Sequence, residues 1–363
     1  MSDLPAPRRV SRLGLYLPFA ILLLICAGWT TFWFVSSGVS ERTLDSWISR
    51  EAALGRVWTC PKREIGGFPF DLAVSCVNPS FEGRVGTTQL LGQSIDGPIH
   101  GEVKLVRALA QIYRPTLILI EVEGPLRIIT PNNGPQVEAT WTHLRTSLHG
   151  TPAGLARVSL TLETPQISVT QAGQTFGAQA QHFEFHVRHN PQRPVEDQAY
   201  DIAFDLKEAL VPQLSRLLRS DAALNAASES TLSRAEFTGV GTPADRLEAW
   251  RAAGGMLDVT RFVATQGKAS VAAKGQLSID PQHRPQGNMD MAFTGLSPLL
   301  AQFGVPVGAV AIDNLLGGLF GGKNRNKDGN AAPKDQISLP VSLSNGRVQI
   351  GPLGLPALLQ PLY

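Results

Sequence analysis

The stretch EVKLVRALAQIYRPTLILIEV, residues 102–122, decides the fold class. Residues 102–107 alternate between polar and apolar side chains, which is typical of a half-buried strand. Residues 116–122 contain the apolar run LILI, which indicates a buried strand. Further strands are predicted at residues 138–148, 156–162, 166–170, 178–187 and 199–206. Because the loops between them are too short for crossover helices, the pattern predicts a mainly β protein with curved antiparallel sheets.

The second half of the chain repeats this pattern with a few helices between the strands. Helices are predicted at residues 211–227 and 243–253, the second with Thr242 as its N-cap and Pro243 in its first turn. Strands follow at residues 256–264, 269–279 and 287–294. An apolar, Gly-rich segment (296–320) and a polar one (321–336) precede a closing hairpin with an Asn345-Gly346 turn.

The run LGLYLPFAILLLICAGWTTFWFVSSGV, residues 13–39, carries no charged side chain and follows Arg8, Arg9 and Arg12. At about 1.5 Å per helical residue it is long enough to cross roughly 30 Å of hydrocarbon. The preceding arginines predict a cytoplasmic tail at residues 1–12, a single-pass anchor in the inner membrane at residues 13–39, and a periplasmic remainder. A cleaved signal peptide is the alternative, although its apolar core is usually only about 7–15 residues long.

The exported part is expected to comprise two regions. Residues 40–210 form a periplasmic β region that contains a short disulfide module, and residues 211–363 form a second β region with helical insertions and the Gly-rich tail. Residues 41–54 are predicted as a short amphipathic helix that leaves the membrane.

Cys60 and Cys76 are the two cysteines outside the anchor, and they lie close together in one short module. We predict a disulfide between them, because two thiols without a neighbouring histidine make a poor zinc site. Between them, the segment IGGFPF is interpreted as a tight turn whose Phe68 and Phe70 enter the core.

Composition and motifs exclude several classes of function. With 32 basic and 30 acidic residues, the chain has no strong field for a nucleic acid. His182, Glu184 and His186 share one face of a strand, which we interpret as a solvent-facing polar surface rather than a zinc site. Since no nucleophile elbow, phosphate loop, dinucleotide fingerprint or zinc-protease motif is present, we expect neither an enzyme nor a cofactor.

Four segments carry a resemblance to a known family. They are the anchor, CPKREIGGFPFDLAVSC (60–76), GQLSIDPQHRPQGNMDMAFTG (275–295) and LSNGRVQIGPLGLP (343–356). With them the chain resembles an uncharacterised alphaproteobacterial family of inner-membrane-anchored periplasmic proteins, and is more distantly similar to the AsmA-like group. The second likeness implies a role in envelope lipid homeostasis and a sheet curved into an apolar groove. It brings no catalytic residues.

The expected function follows from the excess of apolar strands over helices that could cover them. A curved sheet can hold lipid acyl chains on one apolar face, or it can close on itself as a sandwich or barrel. We predict an apolar groove that includes Leu117, Leu119, Leu257 and Val259. The expected partners are the inner membrane and lipid acyl chains; the alternative is a non-enzymatic scaffold that binds another envelope protein.

Overall fold

The computed structural model describes residues 13–90, 93–131, 134–151, 154–235, 243–295, 336–351 and 353–363. Arg8, Arg9, Arg12, Thr242 and the tail at 296–335 lie outside the described residues. Within the described ranges the helices are α1 (Leu13–Ala53), α2 (Pro212–Leu218) and α3 (Pro243–Ala252), with a short 3₁₀ turn at Val195–Asp197. The strands are β1 (Val57–Thr59), β2 (Lys62–Gly66), β3 (Asp71–Val77), β4 (Ser80–Leu90), β5 (Gln93–Gln111), β6 (Arg114–Ile129), β7 (Gln136–Thr140), β8 (His143–Thr151), β9 (Gly154–Glu163), β10 (Gln166–Gln171), β11 (Gln174–Gln179), β12 (His182–His189), β13 (Tyr200–Ala209), β14 (Leu224–Leu232), β15 (Leu257–Gln266), β16 (Ala269–Ile279), β17 (Pro285–Thr294), β18 (Gln336–Ser344), β19 (Arg347–Ile350) and β20 (Leu353–Leu358).

Helix α1 contains the predicted anchor and continues beyond it. It has 41 residues, and at about 1.5 Å per residue it is roughly 60 Å long. Its part from Tyr16 to Ala53 is long and apolar enough to cross a membrane. Residues 41–53 are helical, but they do not form a separate helix as predicted, because α1 continues through them from the predicted anchor without a break.

The described strands form one antiparallel sheet built outward from the long hairpin of β5 and β6. Strands β3 and β4 pair with different halves of β5, and β7 and β8 pair with different halves of β6. From β8 the ladder runs through β9 and β12, and then in chain order to β20. A side branch joins β7 to β10 and β11. The prediction of a mainly β, antiparallel fold after an apolar helix is confirmed.

The predicted boundary at residues 210 and 211 falls inside this sheet. Strands β13 and β14 flank it and pair along most of their length. The predicted helix at 211–227 is partly wrong, because α2 ends at Leu218 and residues 224–227 belong to β14. Arg219 takes a left-handed conformation at the C-cap, and this ends the helix before the strand begins.

The closing hairpin forms as predicted. Strand β18 ends at Ser344 and β19 begins at Arg347. Between them Asn345 and Gly346 have φ angles of 53° and 74°. Two successive left-handed residues are what a tight hairpin turn needs, and Asn-Gly supplies them at low cost.

Within the part of the chain that the structure describes, the buried core is small. Its cluster lies on the side branch, where Val137 and Val169 pack with Ile95 from β5. Ile99, Ile128 and Ile167 are partly buried against them. Among the described apolar residues, only Val169 and Ala199 have no exposed surface at all.

Cys60 and Cys76 form a disulfide with their Cα atoms 5.7 Å apart. It connects the segment between β1 and β2 to β3. Beside it, Trp58 lies between Trp47 of α1 and Phe81 of β4, at ring-centroid distances of 5.8 and 4.5 Å. The disulfide and these rings hold the first strands of the sheet together.

Replacing both Cys60 and Cys76 by serine should lower the free energy of unfolding by about 2–4 kcal/mol, because the closed loop restricts the unfolded chain. Urea unfolding of the full chain in a mild detergent measures this. Cys26→Ser is the control, since Cys26 is a free, exposed cysteine on α1. A double variant as stable as this control would contradict the prediction.

Candidate functional site: the apolar face of the sheet

The register of the ladder separates the sheet into two chemically different faces. Directly paired residues of antiparallel strands share a face, and successive residues of a strand alternate between faces. On β6, Ile118, Ile120 and Val122 therefore lie on one face, which we call the apolar face. Its central row contains Val74, Ala108, Ile120, Thr146, Leu160, Phe185, Phe204, Ser228, Phe262, Ala273, Met291 and Leu339.

Two flanking rows widen the apolar face. The row through Ile118 contains Leu72, Ala110, Ile118, Leu148, Val158, Val187, Ile202, Ser230, Val259, Gly275, Met289, Val341 and Ile350. The row through Val122 contains Cys76, Val106, Val122, Leu144, Leu162, Phe183, Leu206, Ala226, Ala264, Val271 and Phe293. These three rows contain no charged side chain.

The opposite face is polar and charged over most of β6 to β14. Arg145 of β8 lies 3.5 Å from Glu121 of β6, and Arg188 of β12 lies 3.0 Å from Asp201 of β13. Both arginines are exposed to solvent, so each ion pair stabilises the fold by less than about 1 kcal/mol. They mark the face of the sheet that meets water.

Most large side chains of the apolar face are only half-buried. Phe183, Phe185, Phe204 and Leu160 all keep part of their surface accessible. In a sandwich or a closed barrel core, side chains of this size would be packed on all sides. Over these strands, β9 to β13, the apolar face is therefore shielded by its own neighbours rather than sealed.

Aromatic rings converge above this face. The ring centroids of Phe204 on β13 and Phe262 on β15 lie 6.5 Å apart, although β14 runs between their strands. Strands two apart in a sheet are separated by roughly 10 Å. The rings meet because β14 has the small Ser228 between them.

Two of the four predicted groove residues lie on the apolar face and two do not. Leu257 and Val259 belong to it. Leu117 and Leu119 lie on the opposite face, because they alternate with Ile118, and Leu119 is 47% exposed. The prediction that all four residues line one groove is therefore wrong. The sequence pattern does not reveal which face each residue takes, because every residue is apolar in the run Leu117-Ile118-Leu119-Ile120.

The turn between β2 and β3 also differs from its sequence interpretation. Phe68 and Phe70 do not enter the core; they are 52% and 60% exposed. The ring of Phe68 packs edge-on against Trp33 of α1 at 5.6 Å, and Phe70 lies 6.2 Å from Trp29. The turn packs on α1, a contact that the local sequence pattern does not show.

His182, Glu184 and His186 lie on the polar face, as interpreted, and form a hydrogen-bonded row with Glu163 of β9. His182 contacts Glu163 at 2.9 Å through Nδ1 and Glu184 at 2.8 Å through Nε2, and Glu184 also contacts His186 at 3.2 Å. Glu163 and then Glu184 raise the pKa of His182, while His182 and then His186 lower the pKa of Glu184. Among the described residues, no group of three or more His, Cys, Asp or Glu side chains could hold a metal ion.

A second charged cluster fixes the last described segment to α3. Glu248 accepts hydrogen bonds from Arg251 and from the hydroxyl of Tyr363, which lies 2.9 Å away. Arg251 and then Tyr363 lower the pKa of Glu248 to about 2. Tyr363 stacks on His283 of the β16–β17 turn, so this cluster ties the end of the ladder together.

The chain belongs to the DUF2125 family. The family is described as an uncharacterized protein conserved in bacteria, and its model matches residues 33–358. The match begins within α1 and continues to the last strand, so it includes the turn that packs on α1, the disulfide and the whole apolar face. No curated protein matches the chain.

The His182 row predicts a defined pH dependence of stability. Because the folded pKa of His182 is raised above its ordinary value of 6.5, its contribution is complete below that value and is lost as the pH rises through the folded pKa. The lowered pKa of Glu184 makes its contribution complete above its ordinary 4.5 and lost as the pH falls through the folded pKa. The row therefore stabilises the fold most between these two values.

Above pH 6.5 the free energy of unfolding should fall as His182 loses its proton, and His182→Gln should remove this part of the fall. Urea unfolding between pH 5 and 9 measures the effect. His149→Gln is the matched control, because His149 is exposed on β8 and lies opposite Arg157 rather than a carboxylate. Identical pH profiles for His182→Gln and the unchanged chain would disprove the role of this row.

Proposed function

We propose that this protein is an envelope component, anchored in the inner membrane, whose apolar face binds lipid acyl chains on the periplasmic side. The observation that supports this most is the set of three uncharged rows that run side by side along a sheet whose opposite face carries ion pairs. A face of this chemistry can bind an acyl chain without any catalytic residue.

The dimensions of the face suit a long apolar ligand. The central row crosses twelve strands from β3 to β18, and a spacing of about 4.8 Å per strand gives a path of roughly 50 Å. Each buried methylene contributes about 0.8 kcal/mol, so ten methylenes on this surface contribute about 8 kcal/mol before the costs of association.

The partial burial of side chains on the apolar face supports a surface that is open to a ligand. Leu160, Phe185 and Phe204 are half-buried, and an acyl chain that covers them removes further apolar surface from water. A closed scaffold would gain little from an added ligand, because its core side chains already contact one another on all sides.

The proposed location rests on both ends of the anchor. Arg8, Arg9 and Arg12 precede it, which favours a cytoplasmic start and a periplasmic sheet. The Cys60–Cys76 disulfide suits an oxidising compartment.

We also propose the distant AsmA-like relationship and the alphaproteobacterial origin on the sequence resemblance, since an anchored sheet with an apolar face is the architecture that the AsmA-like group implies.

Photo-crosslinking from the two faces of one strand tests this function. We expect p-benzoylphenylalanine in place of Phe185, on the apolar face of β12, to form lipid adducts in intact cells. The same residue in place of Glu184 is the matched control, because it lies one position away on the opposite face. Mass spectrometry of the purified adducts identifies the attached molecule.

The expected result is a lipid adduct at least several-fold stronger at position 185 than at position 184. Equal lipid labelling at both positions would contradict the proposal, since it would reflect nonspecific contact. An adduct with another envelope protein at position 185, without lipid, would favour the scaffold function instead.

A further inference from the structure

The turn at residues 67–70, which we call the aromatic turn, is attached to the apolar part of α1. The indole N–H of Trp29 donates a hydrogen bond to the carbonyl oxygen of Pro69 at 2.8 Å. The indole N–H of Trp33 donates to the carbonyl oxygen of Asp71, also at 2.8 Å. Trp33 is 5% exposed, unlike most of the anchor around it. These two bonds fix the position of the turn relative to the membrane-spanning helix.

These hydrogen bonds meet a requirement that applies in lipid rather than in water. A turn leaves backbone carbonyls without partners in the sheet, and in water the solvent would satisfy them. In an apolar medium each unsatisfied polar group costs several kcal/mol. Trp29 supplies a donor to one carbonyl of the turn, that of Pro69. Trp33 supplies one to the carbonyl of Asp71, the first residue of β3, so neither carbonyl depends on water for a partner.

The side chains of this edge are aromatic and exposed. Phe68 and Phe70 are 52% and 60% exposed, and Tyr113, in the β5–β6 turn, is 64% exposed. The backbone N–H of Ile112 donates to the carbonyl oxygen of Phe70 at 3.0 Å, which holds the two turns together. Aromatic side chains with this exposure are typical of the boundary between lipid headgroups and acyl chains.

The depth along α1 places this edge at the far boundary of the bilayer. Trp33 follows Leu13 by about 30 Å of helix, which is the thickness of the hydrocarbon layer. Charged contacts begin only farther along, where Arg63 of β2 pairs with Glu41 at 3.4 Å and with Asp45 at 2.7 Å. The β2–β3 hairpin therefore runs beside α1, with its charged contacts farther from the bilayer and its aromatic turn nearer to it.

We propose that the aromatic turn, together with Tyr113, inserts into the periplasmic leaflet of the bilayer that α1 crosses. The occupant of this surface is the phospholipid bilayer itself. The inference rests on the part of the proposed function that puts α1 across the membrane, and it is independent of acyl-chain uptake.

Insertion would bring the apolar face to the membrane surface. Leu72 and Val74 of β3 begin two of its rows, two and four residues after Phe70. An acyl chain in the leaflet could then move onto the sheet beside the turn without crossing water, and the apolar rows would continue away from the bilayer. The aromatic turn is thus the entry edge of the proposed lipid path.

Depth-dependent quenching tests this inference on the full chain in liposomes of phosphatidylethanolamine and phosphatidylglycerol. Single cysteines on a Cys26→Ser background, with the disulfide intact, take an environment-sensitive NBD label. Phe70→Cys reports on the turn and Leu23→Cys on the anchor. Ile129→Cys is the matched control, because Ile129 is an exposed apolar residue at the opposite end of β6.

Lipids with a nitroxide at carbon 5 of the acyl chain should quench the label at position 70 at least two-fold, and more strongly than lipids with a nitroxide at carbon 12. The label at position 129 should remain unquenched. If the label at position 23 is quenched but that at position 70 is not, the insertion is wrong and the membrane span stands. If the label at position 23 is not quenched, α1 does not span the membrane and this inference fails with it. If the label at position 70 is quenched but position 185 forms no lipid adducts, the insertion stands and acyl-chain uptake is rejected.

Discussion

The constraint on which the structure depends is the register of one continuous antiparallel ladder. Because side chains alternate with a period of two, each pairing carries the division into two faces from one strand to the next. A slip of one residue between any two strands would move apolar side chains to the charged face. The rows through Ile118, Ile120 and Val122 keep their face across eleven or more strands, so the pairing is held throughout.

The bulge on β15 shows how this division is maintained where the strands are irregular. Val259 pairs with Ser230 and Phe262 pairs with Ser228, so β15 has one residue more than β14 at this point. The extra residue lets Val259 and Phe262 share the apolar face although they are three positions apart. A bulge of this kind also increases the local twist, which helps a long sheet to curve.

Much of the architecture could be predicted from the sequence because its signals are local. The uncharged run of α1, the strand alternation at 102–107 and the Asn345-Gly346 turn each specify structure within a few residues. The errors arose where the outcome depends on distant partners. The facing of Leu119 is decided by pairing with β5 and β8, and residues 224–227 become a strand because β13 and β15 flank them. Phe68 and Phe70 pack on Trp33 and Trp29, more than thirty positions earlier.

Retention of lipid by the full chain tests most directly whether the apolar face binds acyl chains. Thr146 and Ser147 are neighbours of similar size on β8, with Thr146 between Ile120 and Leu160 on the apolar face and Ser147 between Leu119 and Ser159 on the other. Native mass spectrometry after release from detergent counts the lipids that remain bound to each folded variant. The account predicts that Thr146→Glu loses lipid that the unchanged chain and Ser147→Glu both retain, because a bound acyl chain would force the new carboxylate out of water. Equal lipid retention by the two folded variants would contradict it.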